Sequence, residues 1–154
     1  MSHVRTQIRT EFKSVLDAAL PSADYRIFAS RKSAINHKAT KATVDMRYLN
    51  DQTRIAETMG DSGDEARIHV PSLYIRVQRS ASEETLDDEL DADEVLIVKA
   101  IAAHDWSGFL EETPELVQVN FSDDGSTGKI LGAIVLRYDL EYRINKHDPE
   151  TIID

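Results

Sequence analysis

The chain contains no cysteine. Disulfides, thiolate catalysis and cysteine-ligated zinc are therefore excluded, and the absence fits a reducing compartment. Aromatic residues make up only 6%, which disfavours a sugar cleft or a base-stacking platform. No apolar run approaches the ~18 residues of a membrane-spanning helix. Met1 to Arg9 also lacks the charged-then-apolar layout of a signal peptide. These absences predict a soluble protein made and used in a cytoplasm. Basic residues are scarce, 18 Lys and Arg against 28 Asp and Glu, for a formal net charge of −10. That argues against sequence-independent binding to a phosphate backbone, which needs a basic face to release counterions. A length of 154 residues suits one domain that buries roughly two-thirds of its unfolded surface.

What the chain does have is a junction. Glu83 to Glu94 reads EETLDDELDADE, eight acids in twelve positions, and the next nine residues read VLIVKAIAA. A calcium loop needs oxygen ligands at alternate positions and a glycine for its sharp turn, and no glycine lies here. Carboxylates in the first turns of a helix interact favourably with its macrodipole, by ~0.3–1 kcal/mol each when exposed. That accounts for Glu83 and Glu84 in a helix starting near Ser82, and for Asp87 less well. Asp91, Asp93 and Glu94 lie further in and call for a solvated face or a partner. Arg31 to Lys41 is the one basic island, with Arg31, Lys32, Lys38 and Lys41. It is either a solvated loop or an arm that meets the acidic face of a neighbouring copy, a head-to-tail contact of the kind that closes into rings.

Apolar spacing supplies the remaining elements. Val4, Ile8, Phe12, Val15, Leu16, Ala19 and Leu20 predict a first helix, capped by Ser2 and ended by Pro21. Short strands are predicted at Tyr25 to Ala29, Thr43 to Leu49 and Leu116 to Phe121. Ile68 to Arg79 reads as a strand whose apolar parity shifts near Pro71, which predicts a bulge or an edge position. The second helix runs to about His104 with Leu86, Leu90, Ile97 and Ile101 on one face. Ile130 to Ile144 alternates as a single strand about 50 Å long, two to three times the usual length, with Gly132 allowing a bend. Residues 30–41 and 50–66 read as charged loops or arms. This order predicts an α+β fold, a mainly antiparallel, possibly mixed, sheet packed on two principal helices.

Catalytic and cofactor motifs fail on spacing. Gly125 to Lys129 has two residues between its glycines, not the four of a phosphate loop, and precedes a strand. The five histidines have no i, i+4 pair for a helical metal site, and no serine sits in a nucleophile elbow. A convergent carboxylate pair stays open for glycoside chemistry. The expectation is no enzyme, no metal and no cofactor.

Several segments together carry a resemblance. V-R-T-Q-I-R-T-E-F-K-S-V-L opens the chain and R-I-F-A-S-R (Arg26 to Arg31) follows. A central strand leads into L-D-D-E-L-D-A-D-E-V-L-I-V-K-A-I (Leu86 to Ile101), and A-I-V-L-R-Y-D-L-E-Y (Ala133 to Tyr142) closes the pattern. Over most of its length the chain resembles the tail-terminator proteins of long-tailed bacteriophages and related tail-like particles. Two departures stand out: the long charged insert between Leu49 and Arg67, and the delay of the family's proline-bearing strand to Val70-Pro71-Ser72.

The resemblance implies a structural virion protein of tail and neck. Such a protein forms a homohexameric ring on the tail-tube protein, ends its polymerisation and joins the tail to head-completion or neck proteins. DNA passes through the lumen without specific binding. The candidate interface residues are Arg31, Lys32, Lys38 and Lys41, with Arg137, Asp139, Glu141 and Arg143 on the wet face of the closing strand. Asp87, Asp88, Asp91, Asp93 and Glu94 are expected on the lumen or an inter-subunit face. The alternatives are another neck component (a head-closure or tail-completion protein), an acidic DNA-mimic inhibitor and, most weakly, a hydrolase with a carboxylate pair.

Overall fold

The computed structural model describes residues 2–30, 42–55, 66–82, 84–124 and 129–153. The fold is α+β, with two helices and a seven-strand mixed sheet. In chain order the elements are α1 (Val4–Ala19), β1 (Tyr25–Phe28), β2 (Ala42–Ile55), β3 (Ala66–Ser82), α2 (Leu86–Ala103), β4 (Glu115–Asp124), β5 (Lys129–Asp139), β6 (Tyr142–Asn145) and β7 (Asp148–Ile152). The sheet runs β1-β2-β3-β5-β4, with β6 beside β3 and β7 beside β6. Among the described residues, only β1 and β2 pair in parallel; the other pairings are antiparallel. No described helix is long and apolar enough to cross a membrane.

Both helices bury one stripe each. Val4, Ile8, Phe12 and Leu16 of α1 are fully buried, and α2 buries Leu86, Leu90, Ile97 and Ile101. They meet Val44 and Met46 of β2, Leu73, Ile75 and Val77 of β3, and Ile134, Leu136 and Tyr138 of β5 in a single core. Each fully buried aliphatic side chain contributes ~1.5–3 kcal/mol. Trp106 closes the open end of this core: its ring lies 4.3 Å from that of Phe12, and its indole N–H donates to the carbonyl of Ile101 at 2.8 Å, satisfying a last-turn acceptor.

Several boundaries differ from the sequence reading. The cap of α1 is His3, whose Nδ1 accepts from the Arg5 amide at 3.1 Å, and not Ser2. Helix α2 begins at Leu86, so its first-turn acids are Asp87, Asp88 and Glu89; Glu84 precedes it. Asn50 to Ile55 is not loop, because it continues β2 by pairing with Arg67 to Ser72. Ala66, at the end of that predicted arm, begins β3, and residues 56–65 lie outside the described residues.

Pro71 does not mark an edge, since β3 is flanked by β2 on one side and by β5 and β6 on the other. The bulge is on the partner strand: register slips between Tyr48 and Asn50, across from Leu73 and Ser72. Nor does β3 change phase. Ala66 and Ile68 belong to a second cluster, on the face away from the helices, with Val70 and Ile153 packed against it.

The predicted fifteen-residue strand is broken into β5 and β6, although its register on β3 is continuous from Ser72↔Asp139 to His69↔Tyr142. The break falls opposite Pro71. Its carbonyl still accepts from the Leu140 amide at 3.0 Å, but proline has no N–H to return.

Gly132 lies where the sheet packs closely against α2. A Cβ there would lie 2.7 Å from Cδ2 of Leu86, the first residue of α2. Gly132→Ala is expected to lower stability by ~1–3 kcal/mol through overpacking. In denaturant unfolding its effect should be strongly non-additive with that of Leu86→Ala, which removes the clash; additive effects would contradict this account.

Candidate functional site

Two charged networks hold the elements together, and neither is evident from local sequence. The first joins α2 to the sheet. The α2 stripe of Leu86, Leu90, Ile97 and Ile101 has Asp93 at its centre. The core-facing odd positions of β3, Leu73, Ile75 and Val77, continue into Arg79. Asp93 is 1% exposed and Arg79 8%. The guanidinium grips the carboxylate with two parallel bonds, Nε to Oδ2 at 2.8 Å and Nη2 to Oδ1 at 2.7 Å. Tyr25 of β1 donates its hydroxyl to the same Oδ1, and Arg79 Nη2 lies 3.3 Å from that hydroxyl. Burial, followed by the bond to Asp93, pushes the Tyr25 phenol above its ordinary range; the bond to Asp93 raises Arg79 further. Beside the network is an open hollow of about 220 Å³ lined by Asp24, Tyr25, Arg79, Glu89, Ala92 and Asp93. The forked pair commits the Arg79 guanidinium and the Asp93 carboxylate to each other and so ties α2 to β3.

The second network centres on Asp51 of β2. Its Oδ2 faces Arg5 of α1 at 3.2 Å, His69 of β3 at 2.9 Å and the Tyr142 hydroxyl of β6 at 3.3 Å. The His69 ring stacks on Tyr142 with centroids 5.0 Å apart. Arg5 Nη2 also lies 3.3 Å from His3 Nε2, and its carbonyl accepts from the Tyr48 hydroxyl at 3.0 Å. Burial, then the neighbouring Arg5 charge, depresses the pKa of His3. One carboxylate thus ties the start of α1 to three strands. Among the described residues, no group of three potential ligands is arranged to hold a metal.

The predicted site residues divide into four sets. Asp87, Asp88 and Asp91 are exposed and Glu94 is half-buried. Asp93 is the correction: it occupies a core position and belongs to no lumen or subunit face, because the stripe spacing turns it toward Arg79. Arg137, Asp139, Glu141 and Arg143 are half-buried and contacted within the chain. Arg137 reaches Asp139 at 3.2 Å, Ser72 donates to Asp139 at 2.9 Å, Arg54 reaches Glu141 at 3.4 Å, and Arg143 lies 3.5 Å from Glu111. Arg31, Lys32, Lys38 and Lys41 lie outside the described residues.

The apolar half of the junction also divides. Ile97 and Ile101 enter the core, whereas Val95 and Leu96 stay 49% and 41% exposed. The outer face of α2 therefore mixes carboxylates with apolar side chains. Sequence reasoning missed Arg79, Tyr25, Asp51 and His69. The available signal was a pair of opposite charges, each interrupting an otherwise apolar stripe.

Two expectations follow. Asp93→Asn should cost about 3–5 kcal/mol in equilibrium unfolding, because Arg79 keeps a buried, uncompensated charge. The double change Asp93→Leu with Arg79→Met should recover most of that loss, and equal destabilisation by both proteins would argue against the pair. At high pH the buried phenols act together. An unfolded tyrosine loses its proton near pH 10, whereas burial pushes Tyr138 up to about 12, and Tyr25, Tyr48 and Tyr142 are also raised. The stability they contribute is complete below pH 10 and is lost as pH rises through the folded values. Phenolate absorbance from these four should accordingly appear together with unfolding; early titration in the folded protein would count against their burial. In comparisons with protein-family models and with curated proteins, nothing matches the chain.

Proposed function

We propose that this protein is a non-enzymatic structural subunit that caps a phage-type tail tube as a ring, ends tube polymerisation and joins the tail to neck proteins. The observation that carries the reading is the outer face of α2. That helix opens on Leu86-Asp87-Asp88-Glu89-Leu90-Asp91, the wording on which the tail-terminator resemblance rests, and it leaves Asp87, Asp88 and Asp91 exposed beside Val95 and Leu96. The α+β fold supports it, with two helices against a mainly antiparallel sheet and the element order that the resemblance implies. The net charge of −10 suits a ring through which DNA slides, since an acidic wall repels phosphate and offers no counterion release.

Capping works by mismatch. One face of the ring matches the end of the tube, and the opposite face fails to recruit a further tube subunit while binding the neck. The test is tube growth from a tail-tube protein sought among the genes neighbouring this chain's, with and without the purified chain. Capped tubes should be shorter and carry a terminal ring in negative stain. Unchanged length and bare ends would sink the proposal. Replacing Asp87, Asp88 and Asp91 together with Asn removes exposed charge at a cost of ~0.3–1 kcal/mol for each first-turn acid, so a variant shown to be folded by circular dichroism should have reduced capping. Capping undiminished in that variant would remove the α2 face from the contact.

A further inference from the structure

Among the described residues, α2 packs mainly over β3 and β5, with α1 beyond it on the side of β1. On β4, Val119 and Phe121 lie opposite Leu136 and Ile134 of the core, so they continue the same face of the sheet. Val119 is half-buried, whereas Phe121 is 64% exposed, and no large apolar side chain among the described residues is more so. A lone exposed phenylalanine is ordinary. This one lies at the foot of an acidic wall.

The wall is the flank of α2 that faces β4. Asp87, Asp91, Glu94 and Val98 recur at i, i+4, i+7 and i+11, which puts them on one stripe of the helix. The other flank is turned away from β4. There Glu89 and Ala92 border the hollow beside Tyr25 of β1, and Ala100 and Ala103 line a hollow shared with Val15 and Ala19 of α1. Tyr138 of β5, across from Leu116 of β4, has its phenol raised by burial and then by the Glu94 charge, which agrees with Glu94 on the β4 side. Asp87 and Asp91 are exposed, Glu94 and Val98 are half-buried, and Val95 beside them is 49% exposed.

The space has the width of a helix. Packed on β3 and β5, α2 lies over their boundary, and β4 runs about 7 Å further out at ~4.8 Å per strand. Packed helices stand ~8–10 Å apart, so a further helix beside α2 rests on β4. Its complement to an apolar floor and an acidic wall is an apolar stripe edged with positive charge.

We propose that an amphipathic helix of a partner protein docks between α2 and β4, its apolar stripe on Val98, Val119 and Phe121 and its Lys or Arg residues against Asp87, Asp91 and Glu94. The acids steer the encounter and set the orientation, and the apolar floor supplies the affinity. The inference deepens the capping reading, on which it rests for a partner at this face, and states what that partner presents.

The probe is a helical peptide of about 16 residues, long enough to span the stripe at ~1.5 Å per residue, with Leu at i, i+4, i+7 and i+11 and Lys beside them. Titrated into full-length, isotope-labelled chain, it should shift the NMR signals of Val95, Val98, Val119 and Phe121 first. Glu for Lys in the peptide, or Asp87→Asn with Asp91→Asn and Glu94→Gln in the chain, should weaken binding at least about tenfold. Phe121→Ser, a change at an exposed side chain, should do the same in a chain shown to be folded by circular dichroism. Shifts centred elsewhere, indifference to the charges, or no binding would overturn the proposal. So would concentration-dependent broadening of the same signals without peptide, which assigns the groove to a second copy. The chain has no cysteine, so Phe121→Cys adds a single thiol; failure of that thiol to react in the free chain would show that the chain covers the groove itself, and would overturn the proposal too. Tube growth separates the two readings. Peptide binding by a chain that never caps tubes leaves the groove standing and defeats the terminator function, and capping by a chain that binds no peptide does the reverse.

Discussion

Arg79 and Asp93 can be buried only together. An isolated charge at either position would carry a desolvation cost of several kcal/mol, and the forked, two-bond geometry is what offsets it. Because the fork is directional, the pair fixes both the rotation of α2 about its axis and its position along β3. Leu86 then falls on Gly132, Ile97 and Ile101 enter the core, and Trp106 is brought over Phe12. The same rotation turns Asp87, Asp88 and Asp91 outward. An apolar pair of similar size would hold the helix against the sheet without setting its azimuth so sharply. The surface that the helix presents is thus a consequence of a contact on its opposite side.

Charge is distributed unevenly between interior and surface. Asp51 draws Arg5, His69 and Tyr142 to one point, and Arg137, Asp139, Glu141 and Arg143 engage partners within the chain. Their side chains are already committed, so they have less to offer a neighbour than their alternating pattern suggests. Part of the exposed surplus, Asp87, Asp88 and Asp91, sits on the outer face of α2. Exposed Val95, Leu96, Val117 and Phe121 lie on the same two elements that carry or border the acids, α2 and β4. A surface of this kind favours a partner that brings positive charge and apolar area together.

Much of the fold was legible because its stripes are regular. Val4, Ile8, Phe12 and Leu16 give α1 directly, and the even positions from Ile134 to Ile144 give the buried side of β5 and β6. What escaped reading was set by tertiary context. Asn50 to Ile55 has no apolar alternation and becomes strand only because β3 offers it a ladder. Strand β7, Asp148–Ile152, is mostly exposed and is held by β6, so its composition resembles loop. Asp93 and Arg79 were hidden by a counting habit that assigns charge to the surface. Ala66 and Ile68 imitated a phase shift because a second cluster buries the far side of one strand end. Helix α2 began later than its acids suggested, since Ser82 is still paired in β3 and Glu84 and Thr85 form a turn.

The acid-rich junction therefore divides into three physical roles. Asp87, Asp88 and Glu89 lie where a helix N-terminus favours carboxylates. Asp93 fixes the helix on the sheet. Asp91 has neither reason to be acidic, and with Asp87 and Asp88 it stays on the exposed face. A chain of net charge −10 resists crowding of its own copies, so any ring built from it must concentrate attraction at a few places. On the ring reading, the charge that keeps subunits apart and the charge that selects the correct neighbour are the same property at different distances. The repulsion between whole subunits is long-range and screened by salt, whereas the attraction offered by exposed apolar side chains such as Val95 and Leu96 acts only at contact.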